Sequence, residues 1–192
     1  MSWEKELEEL KKRAELAKEM GGIERVAKHY SRGRLTVRER IDNLLDKDTF
    51  HETGEITGKV TYDEEGEIKE FTPANFIFGR GKIDGREIVV AGDDFTIRGG
   101  AADARIGNKS LYSLKLAEHL RLPLVNLVDG SGGGGSVKTL ETMGATYVPG
   151  LPSWQNIVRL LSMVPVVGAC MGSVAGLGSA RVVASHFSIM VK

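Results

Sequence analysis

The stretch LVNLVDGSGGGGSVKT, residues 124–139, decides the fold of this chain. It begins with the apolar run 124–128, which is typical of a buried strand. Asp129 and Gly130 end that run, and four consecutive glycines follow at positions 132–135. Because glycine is costly to order, such a loop is kept where the backbone approaches another group closely or turns with positive φ. Residues 137–143 then predict a helix, and in a strand, glycine loop and helix the backbone N–H groups can face a negative charge.

Three other interpretations of the glycine loop remain open. GSGGGGS has the composition of a flexible linker, although a linker is not expected between a buried strand and a second apolar block. Lys138 and Thr139 nearly complete the spacing of a phosphate-binding loop, but Val137 stands where its second glycine belongs. A plain structural turn is the third alternative.

Composition limits the classes of protein that fit. The chain has 192 residues and 41% apolar content, which suits one domain with its own core. Basic and acidic residues both number 26, so no basic field indicates nucleic acid. The single cysteine, Cys170, cannot form an internal disulfide, which indicates a reducing and therefore cytoplasmic compartment. No metal site is expected.

A membrane span is a further alternative to weigh. Residues 160–180 carry no charge and are long enough to cross a bilayer. Pro165 and the many glycines and serines lower the apolarity of this stretch, and Arg181 follows at once. We therefore expect no membrane span.

The N-terminal region, residues 1–50, reads as a helical arm. Residues 3–20 predict an amphipathic helix that Gly21-Gly22 ends. Its apolar face must pack on the body or on another subunit, and it is formed by Trp3, Leu7, Leu10, Ala14 and Ala17. Thr36 and Glu39 form a capping box that opens a short helix.

Four arginines lie close together beside that capping box, at positions 32, 34, 38 and 40. Such a basic cluster could hold phosphates. It could equally be a solvated face, and the sequence leaves both interpretations open.

Residues 57–91 change to a strand pattern. Strands at 60–62 and 68–71 flank the turn 63–66, and strands at 75–83 and 87–91 flank Asp84-Gly85, a strong hairpin signal. This pattern predicts an antiparallel meander leading into the core.

The rest of the chain alternates helices and strands. Helices are predicted at 101–121 and from Ser153 to about residue 163, and strands at 124–128, 166–169 and 187–191. This alternation predicts a parallel sheet with helices outside it. A second loop of small residues, 172–180, again follows a buried strand and precedes a helix. Two such loops can aim backbone N–H groups at one point, as in an oxyanion hole that stabilises an enolate or a tetrahedral anion.

These segments together carry a resemblance. GGIERVAKHYSRGRLTVRERIDNLLD, GDDFTIRGG, LPLVNLVDGSGGGG and GSVAGLGSARVVASHFSIMV occur in that order, and the chain resembles the N-terminal part of the carboxyltransferase (β) subunit of biotin-dependent acyl-CoA carboxylases of the propionyl-CoA carboxylase type. The resemblance implies an α/β fold, the crotonase-like ββα superhelix, over residues 51–192. The chain departs from the family's usual D-S-G-G-A-R and A-G-G-A patterns, since no arginine follows the first loop and Leu177 replaces a glycine in the second.

The resemblance also implies a reaction and its residues. Carbon dioxide would pass from carboxybiotin to the α-carbon of an acyl-CoA through a thioester enolate. The enolate oxygen would be held by N–H groups at Gly133, Gly134, Gly176 and Leu177, and coenzyme A would lie along Arg98, Gly99, Gly100 and Lys109. A biotin-linked decarboxylase subunit and a non-catalytic CoA-binding or assembly fragment remain alternatives.

Expected partners follow from the same resemblance. They are acyl-CoA, a biotin carboxylase or biotin carrier subunit that supplies carboxybiotin, and further copies of this chain; no covalently bound cofactor is expected. The family's biotin-binding half lies in a second domain, so we expect no carboxyl transfer by this chain alone. The predicted core looks cut short after residue 191, which would leave strand edges bare.

Overall fold

The computed structural model describes residues 3–101, 106–131, 137, 140–141, 144 and 153–191. The helices with assigned bounds are α1 (Glu4–Lys18), α2 (Ile23–Tyr30), α3 (Val37–Leu44), α4 (Lys109–Leu120), α5 (Trp154–Leu161) and α6 (Leu177–Val183), and a 3₁₀ turn spans Arg98–Gly100. The strands are β1 (His51–Glu52), β2 (Gly58–Tyr62), β3 (Ile68–Pro73), β4 (Phe76–Ile83), β5 (Arg86–Asp93), β6 (Leu124–Ser131), β7 (Val166–Ala175) and β8 (Phe187–Met190).

Six strands form one mixed sheet in the order β1-β4-β5-β6-β7-β8. β1 and β5 both pair with β4 in antiparallel fashion, whereas β5 to β8 are parallel to one another. The α/β prediction with a parallel sheet over the second half of the chain is therefore confirmed. α4 is the helical crossover between β5 and β6, and α6 connects β7 to β8, as parallel pairing requires.

The hairpin between β4 and β5 forms where the sequence predicts it. Asp84 and Gly85 have φ of 49° and 77°, the two positive values that a type I′ turn needs. Ile83 pairs with Arg86 across the turn, and the register continues without a shift to Phe76 and Asp93.

Two apolar layers enclose the large sheet. One face carries Phe76, Phe78, Val89, Ala91 and Leu124 and packs on α4 and α5. The opposite face packs on α3, and its buried residues are Val37, Ile41, Ile77, Ile88, Val90, Leu127 and Ala169. Alternate residues of β4 and β5 therefore serve opposite layers, as the period of two in a strand requires.

The predicted meander is wrong in one respect. β2 and β3 pair only with each other and form a separate two-stranded sheet, so they do not lead into the core sheet. β3 instead contacts α1. Turn residues and alternation identify a hairpin, but they do not say which sheet the hairpin joins.

The start of α3 agrees with the prediction because a capping box sets it, whereas other helix boundaries differ. The helix expected from residue 101 begins at Lys109, and α2 was not predicted. Ser153 precedes α5 as expected, although its side chain makes no capping hydrogen bond. The capping box at Thr36 and Glu39 is confirmed, with both reciprocal hydrogen bonds present.

The uncharged stretch 160–180 is not one helix. It contains the end of α5, the whole of β7 and the start of α6. Among the helices in the described part of the chain, none has the length and apolarity to cross a bilayer.

Candidate functional site

The two glycine-rich segments leave the sheet side by side. β6 and β7 are adjacent and parallel, and Ser131 pairs with Ala175 at their carboxyl ends. In the sequence the first glycine loop directly follows Ser131, and Gly176 directly follows Ala175. Residues 172–175 of the predicted second loop belong to β7, so that loop begins at Gly176. Gly176 has φ of 57°, a conformation that side chains disfavour, and α6 begins at Leu177. Carboxyl ends of parallel strands are the usual position of ligand sites in open α/β sheets.

A third segment packs against the same edge. Arg98, Gly99 and Gly100 all have positive φ, between 49° and 67°. A Cβ placed on Gly100 would lie 2.3 Å from the carbonyl oxygen of Asp129, and one on Gly130 would lie 2.4 Å from that of Gly99. Backbone therefore meets backbone here, and only glycine fits at either contact.

The predicted site residues fall into three groups. Gly133 and Gly134 lie outside the described residues, as do Lys138 and Thr139 of the alternative phosphate loop. Gly176 and Leu177 follow Ala175 at the sheet edge, where Ala175 pairs with Ser131. The exposed Arg98 and the two glycines after it lie against the end of β6, so the structure brings the second and third groups to one edge.

Lys109 is placed differently from the other candidates for coenzyme A binding. Its side chain is buried, and its Nζ lies 3.5 Å from Oε1 of Glu52. Arg38 binds the second oxygen of the same carboxylate at 2.7 Å. Burial lowers the pKa of Lys109, while the charge of Glu52 acts in the opposite direction. A phosphate would therefore have to compete with Glu52 for this ammonium group.

The four clustered arginines do not form a single basic patch. Arg38 and Arg40 turn inward and bind the carboxylates of Glu52 and Asp129. Arg34 lies over the ring of Phe95, with 5.6 Å between its guanidinium carbon and the ring centroid. Neither a shared phosphate site nor a fully solvated face describes the cluster.

A buried ion pair supports the end of β6. Asp129 is fully buried, and its Oδ2 accepts a hydrogen bond of 2.6 Å from Nη1 of Arg40. Arg40 also donates to the carbonyl oxygen of Met171 in β7, at 3.4 Å. Gly172 leaves room for this arrangement, because a Cβ there would lie 2.5 Å from Oδ1 of Asp129. α3 is thus tied to both strands that lead into the glycine loops.

A second ion pair adjoins the first. Asp93, at the end of β5, accepts a hydrogen bond from Arg181 of α6. The same Oδ2 of Asp93 accepts the backbone N–H of Asp129 at 3.2 Å. Sequence reasoning missed this pair, since nothing in the spacing of residues 93 and 181 indicates a contact; the acidic residue directly after a buried strand was the one available signal.

Asp94 continues the buried polar region away from the glycine loops. Its Oδ1 accepts hydrogen bonds from the backbone N–H of Thr96 at 2.9 Å and from the Thr96 hydroxyl. Burial raises the pKa of Asp94, and the bonds from Thr96 oppose that effect. The Thr96 hydroxyl also accepts the N–H of Gly21, which fastens the turn between α1 and α2 to this loop.

This edge of the sheet therefore offers backbone groups and arginines. Within residues 3–101, 106–131 and 153–191, no group of three His, Cys, Asp or Glu side chains is placed to hold a metal ion. Chemistry that needs an anion held by N–H groups fits the described arrangement.

The chain is similar to carboxyltransferase subunits and to decarboxylase subunits. The chain is 28% identical over 194 residues to a propionyl-CoA carboxylase carboxyltransferase subunit from Haloferax mediterranei, covering all of this chain and 36% of that protein. It is 27% identical over 172 residues to a methylmalonyl-CoA decarboxylase subunit alpha from Propionigenium modestum, covering 90% of this chain and 32% of that one. The chain thus spans about a third of the length of these relatives.

A solved structure shows the same fold. The hexameric transcarboxylase 12S, crystallised with methylmalonyl-coenzyme A and methylmalonic acid bound, superposes with a TM-score of 0.72 at 25% identity, over 99% of this chain and 36% of that one. The predicted crotonase-like fold is therefore confirmed. The carboxyl transferase domain model matches residues 28–192, from the end of α2 through the glycine loops to the last residue, and the chain belongs to the carboxyl transferase domain family.

Proposed function

We propose that this chain is the acyl-CoA-binding half of a biotin-dependent carboxyltransferase that acts on acyl-CoA of the propionyl or acetyl type. Carbon dioxide passes from carboxybiotin, supplied by a biotin carrier subunit, to the α-carbon of the thioester. For the atoms to balance, the C–N bond of carboxybiotin breaks, a C–C bond forms at the α-carbon, and the α-proton ends on the biotin nitrogen. The intermediate nucleophile is the thioester enolate, whose negative charge lies on the former carbonyl oxygen.

The single observation that carries this proposal is the pairing of Ser131 with Ala175. It puts the residues that precede the two glycine-rich segments side by side, which supports the proposal that N–H groups of residues 133, 134, 176 and 177 hold one oxygen. Removing one such donor in an enzyme typically raises the barrier by ~3–4 kcal/mol. Backbone donors need no particular side chain, which agrees with the presence of Leu177 where the family usually has glycine.

In this proposal coenzyme A binds along the Arg98–Gly100 turn. Arg98 is exposed and has φ of 49°, an uncommon conformation for a residue with a side chain, and such residues concentrate at functional sites. Its guanidinium can bind phosphate, while Gly99 and Gly100 let the ligand approach the backbone. Lys109 remains part of the proposal only if phosphate displaces Glu52.

Isothermal titration calorimetry tests the ligand. We expect heat of binding from propionyl-CoA or acetyl-CoA and weaker binding of Arg98→Met by about tenfold, because a hydrogen bond to a charged group contributes roughly 1.5–3 kcal/mol. Arg121→Met is the matched control, since Arg121 is also exposed and has φ of 54° but ends α4 away from this edge. Binding of ATP with no binding of CoA thioesters would refute the proposal and favour the phosphate-loop alternative.

A biotin-linked decarboxylase is the second candidate function. Its support is the similarity to the decarboxylase subunit alpha described above. The same enolate would form in that reaction, by loss of carbon dioxide from a carboxyacyl-CoA. Tighter binding of methylmalonyl-CoA than of propionyl-CoA in the same calorimetry would favour the decarboxylase.

A further inference from the structure

We infer that Asp93 and Arg181 are positioning residues: their ion pair fixes α6, and with it the second glycine segment, relative to the end of β6. This inference rests on the proposed function and goes beyond it, because neither residue would touch the acyl-CoA. Arg181 lies in α6, four residues after Leu177, so it is one helical turn from the start of that helix. Asp93 closes β5, the strand beside β6.

One carboxylate oxygen connects the end of β6 with α6. Oδ2 of Asp93 accepts the N–H of Asp129, two residues before the end of β6, and also the guanidinium of Arg181. A shift of α6 along the sheet edge would break the ion pair and disturb the Asp129 hydrogen bond. Asp93 therefore connects α6 to the end of β6 through a single oxygen atom.

Burial gives this connection its rigidity. Asp93 is 2% exposed and the Arg181 side chain is 15% exposed, so water does not compete strongly for either group. The Arg181 guanidinium also lies over the ring of Phe76, with its central carbon 5.8 Å from the ring centroid. The ring limits the directions from which the guanidinium can approach Asp93.

A contribution to overall stability alone does not explain such a pair. Replacing buried ion pairs with apolar residues is often neutral or stabilising, and fixing a particular arrangement is the role for which they are better attested. The neighbouring contacts agree with that role. A Cβ on Gly178 would lie 3.3 Å from the carbonyl oxygen of Gly130, so α6 packs closely on β6. A small displacement of α6 would therefore change this contact.

Amide hydrogen exchange on the whole chain tests this inference. In Arg181→Met we expect exchange to rise about tenfold at the Asp129 N–H and at the hydrogen-bonded amides of α6 from Ala180 onward, with no change in the β4–β5 hairpin. Arg181→Lys should restore part of the protection, because it keeps the charge. Arg159→Met is the matched control: Arg159 pairs with Glu118 at 2.9 Å but its side chain is 68% exposed, so neither region should change.

Ligand affinity supplies the readout that a purely structural role would not produce. Arg181→Met should bind propionyl-CoA about tenfold more weakly and free coenzyme A unchanged, because only the thioester oxygen would use the N–H groups of both segments. Equal losses for both ligands, or unchanged exchange at the amides of α6 from Ala180 onward, would overturn the inference.

Two further outcomes are distinguishable. If Arg181→Met does not fold, Asp93→Asn takes its place, since an amide oxygen can still accept the Asp129 N–H while the charge is lost. Exchange in α6 and propionyl-CoA affinity are then expected to change in the same direction, with exchange at the Asp129 N–H unchanged. If the wild-type chain binds neither ligand, the proposed function fails, and the exchange measurement decides whether the pair fixes α6.

Discussion

Replacing Gly100 with alanine would test whether the Arg98–Gly100 turn is seated on the end of β6. Gly99 provides the matched control one residue away. Both glycines have left-handed backbone, with φ of 62° at Gly99 and 67° at Gly100. A Cβ at Gly99 would have only ring atoms of Phe95 nearby, at 3.9 Å, whereas a Cβ at Gly100 would lie 2.3 Å from the carbonyl oxygen of Asp129.

Both substitutions therefore lose stability through backbone strain, and only Gly100→Ala also creates a steric clash. Left-handed backbone costs a residue with a Cβ about 1–2 kcal/mol, which we expect for Gly99→Ala. In Gly100→Ala the turn must also move about 1 Å away from β6 to relieve the contact. Overpacking of this kind typically costs a further ~1–3 kcal/mol, so the expected loss at Gly100 is roughly 2–5 kcal/mol.

Urea unfolding followed by circular dichroism gives both free energies of unfolding. The difference of about 2 kcal/mol corresponds to roughly 4–8 °C in melting temperature for a domain of this size. Propionyl-CoA affinity should fall more in Gly100→Ala than in Gly99→Ala. Equal losses of stability in the two variants would show that backbone strain is the whole effect and that the turn does not rest on β6.

Three further predictions concern the buried polar groups. Arg40→Met should lower the free energy of unfolding by about 3–5 kcal/mol, because the charge of Asp129 stays buried without its partner; a loss below about 1 kcal/mol in urea unfolding would contradict this. Thr36→Ala should cost about 1 kcal/mol by removing one half of the capping box, and an unchanged free energy of unfolding in the same assay would contradict this. Because the pKa of Asp94 is raised, its protonation stabilises the fold at pH below the ordinary pKa of 3.8, and this stabilisation is lost as the pH rises through the pKa of the folded state. Unfolding measured from about pH 4 to about pH 7 should therefore show the wild type losing stability relative to Asp94→Asn. Parallel stability profiles of the two proteins would refute this prediction.

Local signals in the sequence predict the parts of the fold that are built locally. Asp84-Gly85 specifies its hairpin because both residues tolerate positive φ, and Thr36 with Glu39 specifies the start of α3 because both hydrogen bonds lie within one helical turn. The separate β2–β3 sheet could not be predicted in this way. Its pairing is as local as that of β4 and β5, and only its contact with α1 decides where it lies.

The candidate site likewise has parts that local sequence signals predict and parts that they do not. Glycines indicate close backbone contacts, so Gly100 could be chosen from the sequence, although its partner, the carbonyl oxygen of Asp129, could not. The side-chain network could not be predicted from the sequence, and the reason is physical. Arg181 reaches Asp93 across 88 residues, and Lys109 turns inward to Glu52 only because the fold buries both groups. Whether an arginine or a lysine faces solvent depends on such distant carboxylates.

The strand order of the large sheet has a consequence for how the chain is assembled during synthesis. From β4 onward, every strand pairs with the strand that precedes it in the large sheet, so the sheet grows at one edge only. Each strand can therefore dock as soon as it and its connecting segment have been made, with no need to insert between strands already paired. The open edge passes from β5 to β6, then to β7 and β8. The two strands that carry the glycine segments are covered in turn, and the site at their ends is completed when α6 docks on β6 and β7.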